Sequence, residues 1–345
     1  MKALVLEEYK KFVYREVSPP RLTEATDVLI RIKATGICGS DVHGMDGSTG
    51  RRRPPIIMGH EASGIIAEVG AGVKLHKAGD RVTFDSTIWC GECFYCRRGE
   101  VNLCDNRRVL GVSCEEYRCD GAFAEYLVVP QRILYPLPDA VDFIAAALAE
   151  PLAVAAHAAA ITTPRELNDS IVVVGAGLIG LLLIQVLRAA SSGKIFALDL
   201  DKGKLDLALR FGADAVFDAV DPLTPEAVRD LTLGRGADRA FEAVGDSAPI
   251  AAALACVRKG GSVTLIGNVS PKIELPLQSV VTRQITLFGS CAIAGEYGIA
   301  LDLMARQKVD VRALISATPP LSEGASWLQR LYDREPGLKK VVMQA

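Results

Sequence analysis

Up to about residue 150 the chain carries short apolar runs broken by Gly and Pro. Residues 28–33, 64–69, 80–84 and 124–129 are of this kind. They predict an antiparallel, barrel-like domain. Residues 1–6 predict a strand ahead of them. Pro136 and Pro138 lead into an Ala-rich helical stretch, 143–161, in which Glu150-Pro151 is expected to break or kink the helix. From about residue 165 the rhythm changes. Residues 171–174 form a continuous apolar strand and 178–189 an apolar helix. A second pair follows at 194–198 and 203–211. Further strands are expected at 214–217, 239–242 and 262–266, with a helix at 250–257. This β-α-β alternation implies a parallel doubly wound sheet. A strand at 285–289, helices near 296–307 and 322–333, and a strand at 340–343 complete the chain.

Length and composition narrow the picture. The 345 residues correspond to about two domains. Hydrophobic residues make up 50% and charged residues 23%, which fits a globular protein with a large core. Lys and Arg number 39 against 41 Asp and Glu, a net charge of −2. That balance argues against a nucleic-acid or membrane-surface partner. The two longest apolar runs, 143–161 and 171–187, are interrupted by Glu150, Pro151 and His157, and by three glycines. Neither reads as a membrane span. The N-terminal run is too short for a signal peptide, so a cytoplasmic protein is expected.

Gly175, Gly177 and Gly180 follow a strand and open a helix, with Ala176, Leu178 and Ile179 between them. This is a G-x-G-x-x-G in the context its chemistry requires. Gly175 permits the tight turn, Gly177 lets a pyrophosphate approach backbone N–H groups, and Gly180 lets helix and strand pack closely. Asp199 ends the second strand, where its carboxylate can accept hydrogen bonds from both ribose hydroxyls. It would repel a 2′-phosphate, so NAD is expected over NADP, although Lys204 nearby is a cation that could accept one. Val244, Ile266 and Gly267 are further candidate cofactor contacts.

Nine cysteines are present, and four of them, Cys90, Cys93, Cys96 and Cys104, fall within fifteen residues. In a reducing compartment that clustering points to metal rather than disulfides. Four thiolates close a tetrahedral zinc shell and leave no open position, so the lobe at about 88–106 is expected to hold a structural zinc. Cys114, Cys119, Cys256 and Cys291 read as ordinary thiols. Cys38, Ser40 and His43 stand within six residues, His60 and Glu61 follow, and Glu150 comes much later. Cys, His and carboxylate are zinc ligands, and three of them with an open position make a catalytic site. Spacing alone only suggests this second site.

Residues 36–43, 59–64, the four-cysteine lobe, Glu150-Pro151-Leu152 and the glycine loop occur in one order. Together they resemble the zinc-dependent medium-chain dehydrogenases, most of all their polyol (sorbitol/L-iditol) branch, over essentially the whole chain. The resemblance implies an α/β protein: a GroES-like β-barrel catalytic domain (1–150), a Rossmann NAD-binding domain (151–287) and a return to the catalytic domain (288–345). It implies two zincs per chain, NAD, a small alcohol or polyol substrate, and a homodimer or homotetramer joined edge to edge at residues 285–292. Cys38 and His60 match the general zinc ligands, and the resemblance leaves open whether Glu61 or Glu150 is the third. The family's chemistry is alkoxide formation at zinc and hydride transfer to nicotinamide. Ser40 matches its relay hydroxyl and His43 the histidine that passes the proton outward. Asp41 reads as a residue that fixes the loop.

The chain also departs from this branch. Ala292-Ile293 stand where sorbitol dehydrogenases carry an Arg-Tyr pair, and Gly44-Met45 replace aromatic residues after the relay histidine. Arg51-Arg52-Arg53 is either a solvated loop or a pocket for an anionic substrate such as a polyol phosphate. Alternatives are therefore a galactitol-phosphate-like dehydrogenase, an L-threonine 3-dehydrogenase, or a catalytically silent nucleotide-binding relative.

Overall fold

A computed structural model describes the chain apart from residues 115–116, 163–167 and 191–192. It divides into two compact units. One comprises Met1–Glu150, Ile293–Arg306 and Val311–Ala345, and the other Pro151–Ala292 with Gln307–Asp310.

The first unit is organised on the long strand Asp27–Gly36. Strand Glu61–Val69 pairs antiparallel along its length. Its other edge is shared by Tyr126–Pro130 and by the returning strand Lys340–Gln344. Alternate side chains point inward, so Val28, Ile30 and Ile32 pack with Ile66, Val82 and Phe84 in one core. A second core joins Leu4, Leu6, Met58 and Phe123 to Met343. The expected strands are present, each within a few residues of its reading. Strand Lys11–Glu16, which hairpins onto Lys2–Glu8, was not foreseen because its residues alternate weakly.

The helical stretch is interrupted, but not where expected. Helix Phe143–Ala146 ends before Ala149–Ile161 begins. Pro151 lies in the first turn of the second helix, where a missing N–H has no partner to lose. Asp142 caps the first helix, accepting from the Ala145 N–H at 3.0 Å.

The second unit is a six-stranded parallel sheet. Its order is Ala215–Asp218, Ile195–Asp199, Ile171–Val174, Ala237–Glu242, Val257–Leu265, Thr286–Gly289. Ile171–Val174 is buried on both faces, hence its unbroken apolar run. Helix Leu178–Ala190 packs its buried Leu and Ile residues against the sheet. Helices Thr224–Asp230 and Leu277–Thr282 were not foreseen.

Candidate active site

Cys38, His60 and Glu61 come together in the first unit, with ligand atoms all within 4.8 Å of one another. Cys38 is the N-cap of helix Gly39–Gly44, and its sulfur accepts from the Ser40 N–H at 3.5 Å. Asp41 closes the capping box by accepting from the Cys38 N–H at 3.3 Å. Glu61 opens its strand opposite Gly36. A Cβ on Gly36 would lie 2.4 Å from Glu61 Oε2, so a larger residue there would have to displace the carboxylate.

Within this cluster one buried acceptor is left without a partner among the described residues. Glu61 is buried; one oxygen takes the Lys340 ammonium and Oε1 has no partner among the described residues. His60 Nδ1 lies 3.5 Å from Asp41 Oδ1. Burial disfavours a charged His60 ring, but Asp41 and the Cys38 sulfur outweigh it and hold the imidazole well above its usual range. Burial would also raise Asp41, yet His60 and Arg52 hold its carboxyl at about 2. A thiol, an imidazole and an orphaned carboxylate oxygen form a donor set that fits zinc, and the carboxylate behind the histidine is the usual orienting partner. Glu150 is not within this ligand cluster. It sits in the first turn of helix Ala149–Ile161. Desolvation, with the charges of Glu61 and Asp85 adding to it, pushes its carboxyl up to about 8 against the pull of His60 and Lys340.

Ser40 and His43 are both exposed on the short helix, three residues apart. Arg52 Nη2 donates to Ser40 Oγ at 3.3 Å and to Asp41 Oδ1 at 3.1 Å. Arg52 is only 3% exposed, whereas Arg51 and Arg53 are exposed. The three-arginine run is therefore neither wholly solvated nor wholly available to a substrate.

Sequence reasoning missed Lys340, whose signal was a lysine on the inward side of an otherwise apolar strand. It also missed Tyr297, fully buried and stacked on Tyr135 at 4.8 Å, with a hydroxyl that has no partner among the described residues. Asp85, 2% exposed, was missed as well.

The four lobe cysteines also converge within 4.8 Å. Cys90 and Cys96 sulfurs are 4.0 Å apart, close to the spacing of about 3.8 Å that a tetrahedral zinc with four thiolates requires. Backbone groups face the sulfurs: Cys90 N–H donates to Cys104 Sγ at 3.3 Å and Cys96 N–H to Cys93 Sγ at 3.5 Å. The N–H groups of Glu92 and Cys93 lead in drawing the Cys90 thiol down to about 6. The set fits a closed structural zinc.

In the second unit, the glycine loop stands at the carboxyl end of the sheet, where open α/β folds bind ligands. Gly175 has φ +91°, and a Cβ on Gly180 would lie 1.9 Å from the Gly175 carbonyl oxygen. A Cβ on Gly177 would meet nothing within 4 Å, which leaves the space a pyrophosphate needs. Asp199 ties this loop to the next strand by accepting from the Ala176 N–H at 2.7 Å. Lys204 Nζ lies 3.7 Å from Asp199 and is engaged there. Val244 borders Gly175, and Gly267 packs directly on the Val244–Gly245 backbone, with Ile266 beside it.

Comparison with known proteins identifies the family. The family described as alcohol dehydrogenase GroES-like domain matches residues 24–139, and the zinc-binding dehydrogenase family matches 179–306. A D-arabitol-phosphate dehydrogenase of Enterococcus avium is 34% identical over 91% of this chain and 89% of its own length. The D-xylulose reductase A of Aspergillus oryzae is 36% identical over 91% and 88%. The structure of alcohol dehydrogenase TADH from Thermus sp. ATN1 superposes with a TM-score of 0.92 at 32% identity, covering 100% of this chain and 99% of that one. The chain belongs to the zinc-binding, GroES-like alcohol dehydrogenase family. It is an oxidoreductase of that family's polyol branch, acting on a small molecule with zinc and a nicotinamide dinucleotide. No helix among the described residues is long and apolar enough to cross a membrane.

Proposed function

We propose that the chain oxidises a secondary alcohol of a polyol or sugar and passes the hydride to NAD. The observation that carries this reading is the convergence of Cys38, His60 and Glu61. Zinc held by these three groups would act as a Lewis acid that brings an alcohol's proton loss toward neutral pH. The chain's own residues do the remainder. Asp41 faces His60 Nδ1 and fixes the ring. Lys340 offsets one oxygen of Glu61 and leaves the other without a partner among the described residues. Glu150 holds a proton near neutral pH and can exchange it at its carboxyl group. Ser40 Oγ, oriented by Arg52, takes the alcohol proton, and His43 on the same helix hands it to solvent. Asp199 selects NAD by meeting the ribose hydroxyls.

The two polyol-type relatives, similar over nine-tenths of the chain, support the substrate class. A phosphorylated polyol is the second reading. The arabitol-phosphate relative favours it, as do Arg51 and Arg53, exposed beside the relay helix. Among the described residues, strand Thr286–Gly289 pairs on one edge only, which supports a homodimer or homotetramer joined there. The four-cysteine cluster, whose chemistry suits a metal rather than disulfides, supports a reducing, cytoplasmic setting. NADH formation across free pentitols and hexitols, their phosphates and L-threonine, with NAD and NADP and after chelation, tests the proposal. Turnover of a free polyol with NAD that is lost on chelation is the expected result. Turnover of phosphates alone selects the second reading, and turnover of L-threonine alone overturns both.

A further inference from the structure

The second unit carries a cavity of about 1460 Å³ at the amino ends of its parallel strands, opposite the glycine loop. The proposed reaction makes no use of it. Its lining includes six Lys or Arg side chains and two carboxylates, an excess of four positive charges in a chain whose net charge is −2.

Some of these cations are already satisfied. Arg239 is buried and donates through Nε to Asp169 at 3.0 Å and through Nη1 to the Thr162 carbonyl. Arg258 Nε donates to Asp238 at 2.6 Å. These pairs use both carboxylates. Arg283 is held by the Leu254 and Val257 carbonyls rather than by a carboxylate. Arg229, Arg235 and Lys259 have no carboxylate partner among the described residues and are exposed. They come from three places in the chain: the last turn of helix Thr224–Asp230, the turn after it, and the bend within Val257–Leu265. Gly260, with φ +69°, makes that bend, and the Arg258 guanidinium lies 3.6 Å from where a Cβ on it would stand.

Like charges gathered in one concavity raise the local potential and concentrate counter-ions there. Guanidinium groups favour phosphate oxygens because their N–H donors match them two at a time. We infer that this cavity is a binding site for a small anion carrying several phosphate groups, separate from the cofactor site at the other end of the sheet. Such an anion could be an inorganic polyphosphate or the polyphosphate tail of a nucleotide.

The test is calorimetric titration of the zinc-loaded, NADH-saturated enzyme with tripolyphosphate and, separately, with ATP. NADH saturation keeps ATP out of the cofactor site. The matching titrations use Arg235→Glu/Lys259→Glu and the milder Arg235→Gln/Lys259→Gln, all at exposed positions. Sub-millimolar binding that weakens about tenfold or more in the Glu pair, less in the Gln pair, and further with salt is expected. NADH affinity should stay the same in all three proteins. Tighter binding of ATP than of tripolyphosphate would assign the site to a nucleotide, and equal binding would assign it to the phosphate chain alone. Zinc content is measured after each titration, because tripolyphosphate also chelates. Heat of equal size in wild type and both variants, or no binding of either anion at about 1 mM, overturns the inference.

Discussion

Lys340 donates its ammonium to the carboxylate of Glu61, 279 residues earlier in the chain, and a second hydrogen bond at 2.8 Å ties it to the Ile37 carbonyl. Both side chains are 1% exposed. The returning strand thus offsets one oxygen of a carboxylate whose other oxygen has no partner among the described residues. Lys340→Met should leave Glu61 buried without its counter-charge and cost about 3–5 kcal/mol of stability. Denaturant unfolding of the zinc-free protein measures this. A loss below about 1 kcal/mol would mean the pair is not buried as described.

Asp41 acts on His60 rather than on substrate. Asp41→Asn keeps the size and the cap but removes the charge facing Nδ1. Zinc affinity at the three-residue site should fall about 10–100-fold, read by competition with a chromophoric chelator. The four-cysteine lobe should bind as before, which separates this effect from general unfolding.

Ser40→Ala removes the hydroxyl that Arg52 contacts and that we propose as the proton relay. The expected result is a fall in kcat of about 10²–10⁴-fold at neutral pH, a KM changed only a few-fold, and partial recovery as pH rises and water replaces the relay. Unchanged kcat at neutral pH would remove Ser40 from the proton path.

Asp85 offers a pH test. Burial leads in raising its carboxyl to about 6, Glu296 adds to it, and the Thr87 N–H works against it. The native state therefore holds the proton more tightly than the unfolded chain, and stability falls as pH rises from about 4 to about 6. The loss amounts to about 3 kcal/mol. Asp85→Asn, which can still accept from the Thr87 N–H, should lose that part of the pH dependence. Stability curves of both proteins across this range show whether the difference exists.

What the sequence made legible was local. The glycine loop needs three residues within six, and the zinc lobe needs four cysteines in one loop, so spacing alone carries the chemistry. The βαβ rhythm was visible because buried parallel strands are apolar on both faces. The supporting groups were not visible in this way. Lys340 matters only because its strand returns to pair with Asp27–Gly36. Tyr297 and Asp85 are likewise far in sequence from the residues whose charges they feel. Arg52 stands between two arginines of the same composition, and only packing separates the buried one from its exposed neighbours. Pro151 shows the same limit: its effect depends on which turn of the helix it occupies.

The most direct test is Cys38→Ser. Serine is itself a good N-cap, so helix Gly39–Gly44 should persist, while zinc loses its sulfur ligand. Zinc per chain, NADH binding and NAD-linked polyol oxidation are measured on the same preparation. The account predicts that zinc falls from two per chain to one, polyol oxidation is lost, and NADH affinity is retained. Two zincs per chain with undiminished polyol oxidation would contradict it.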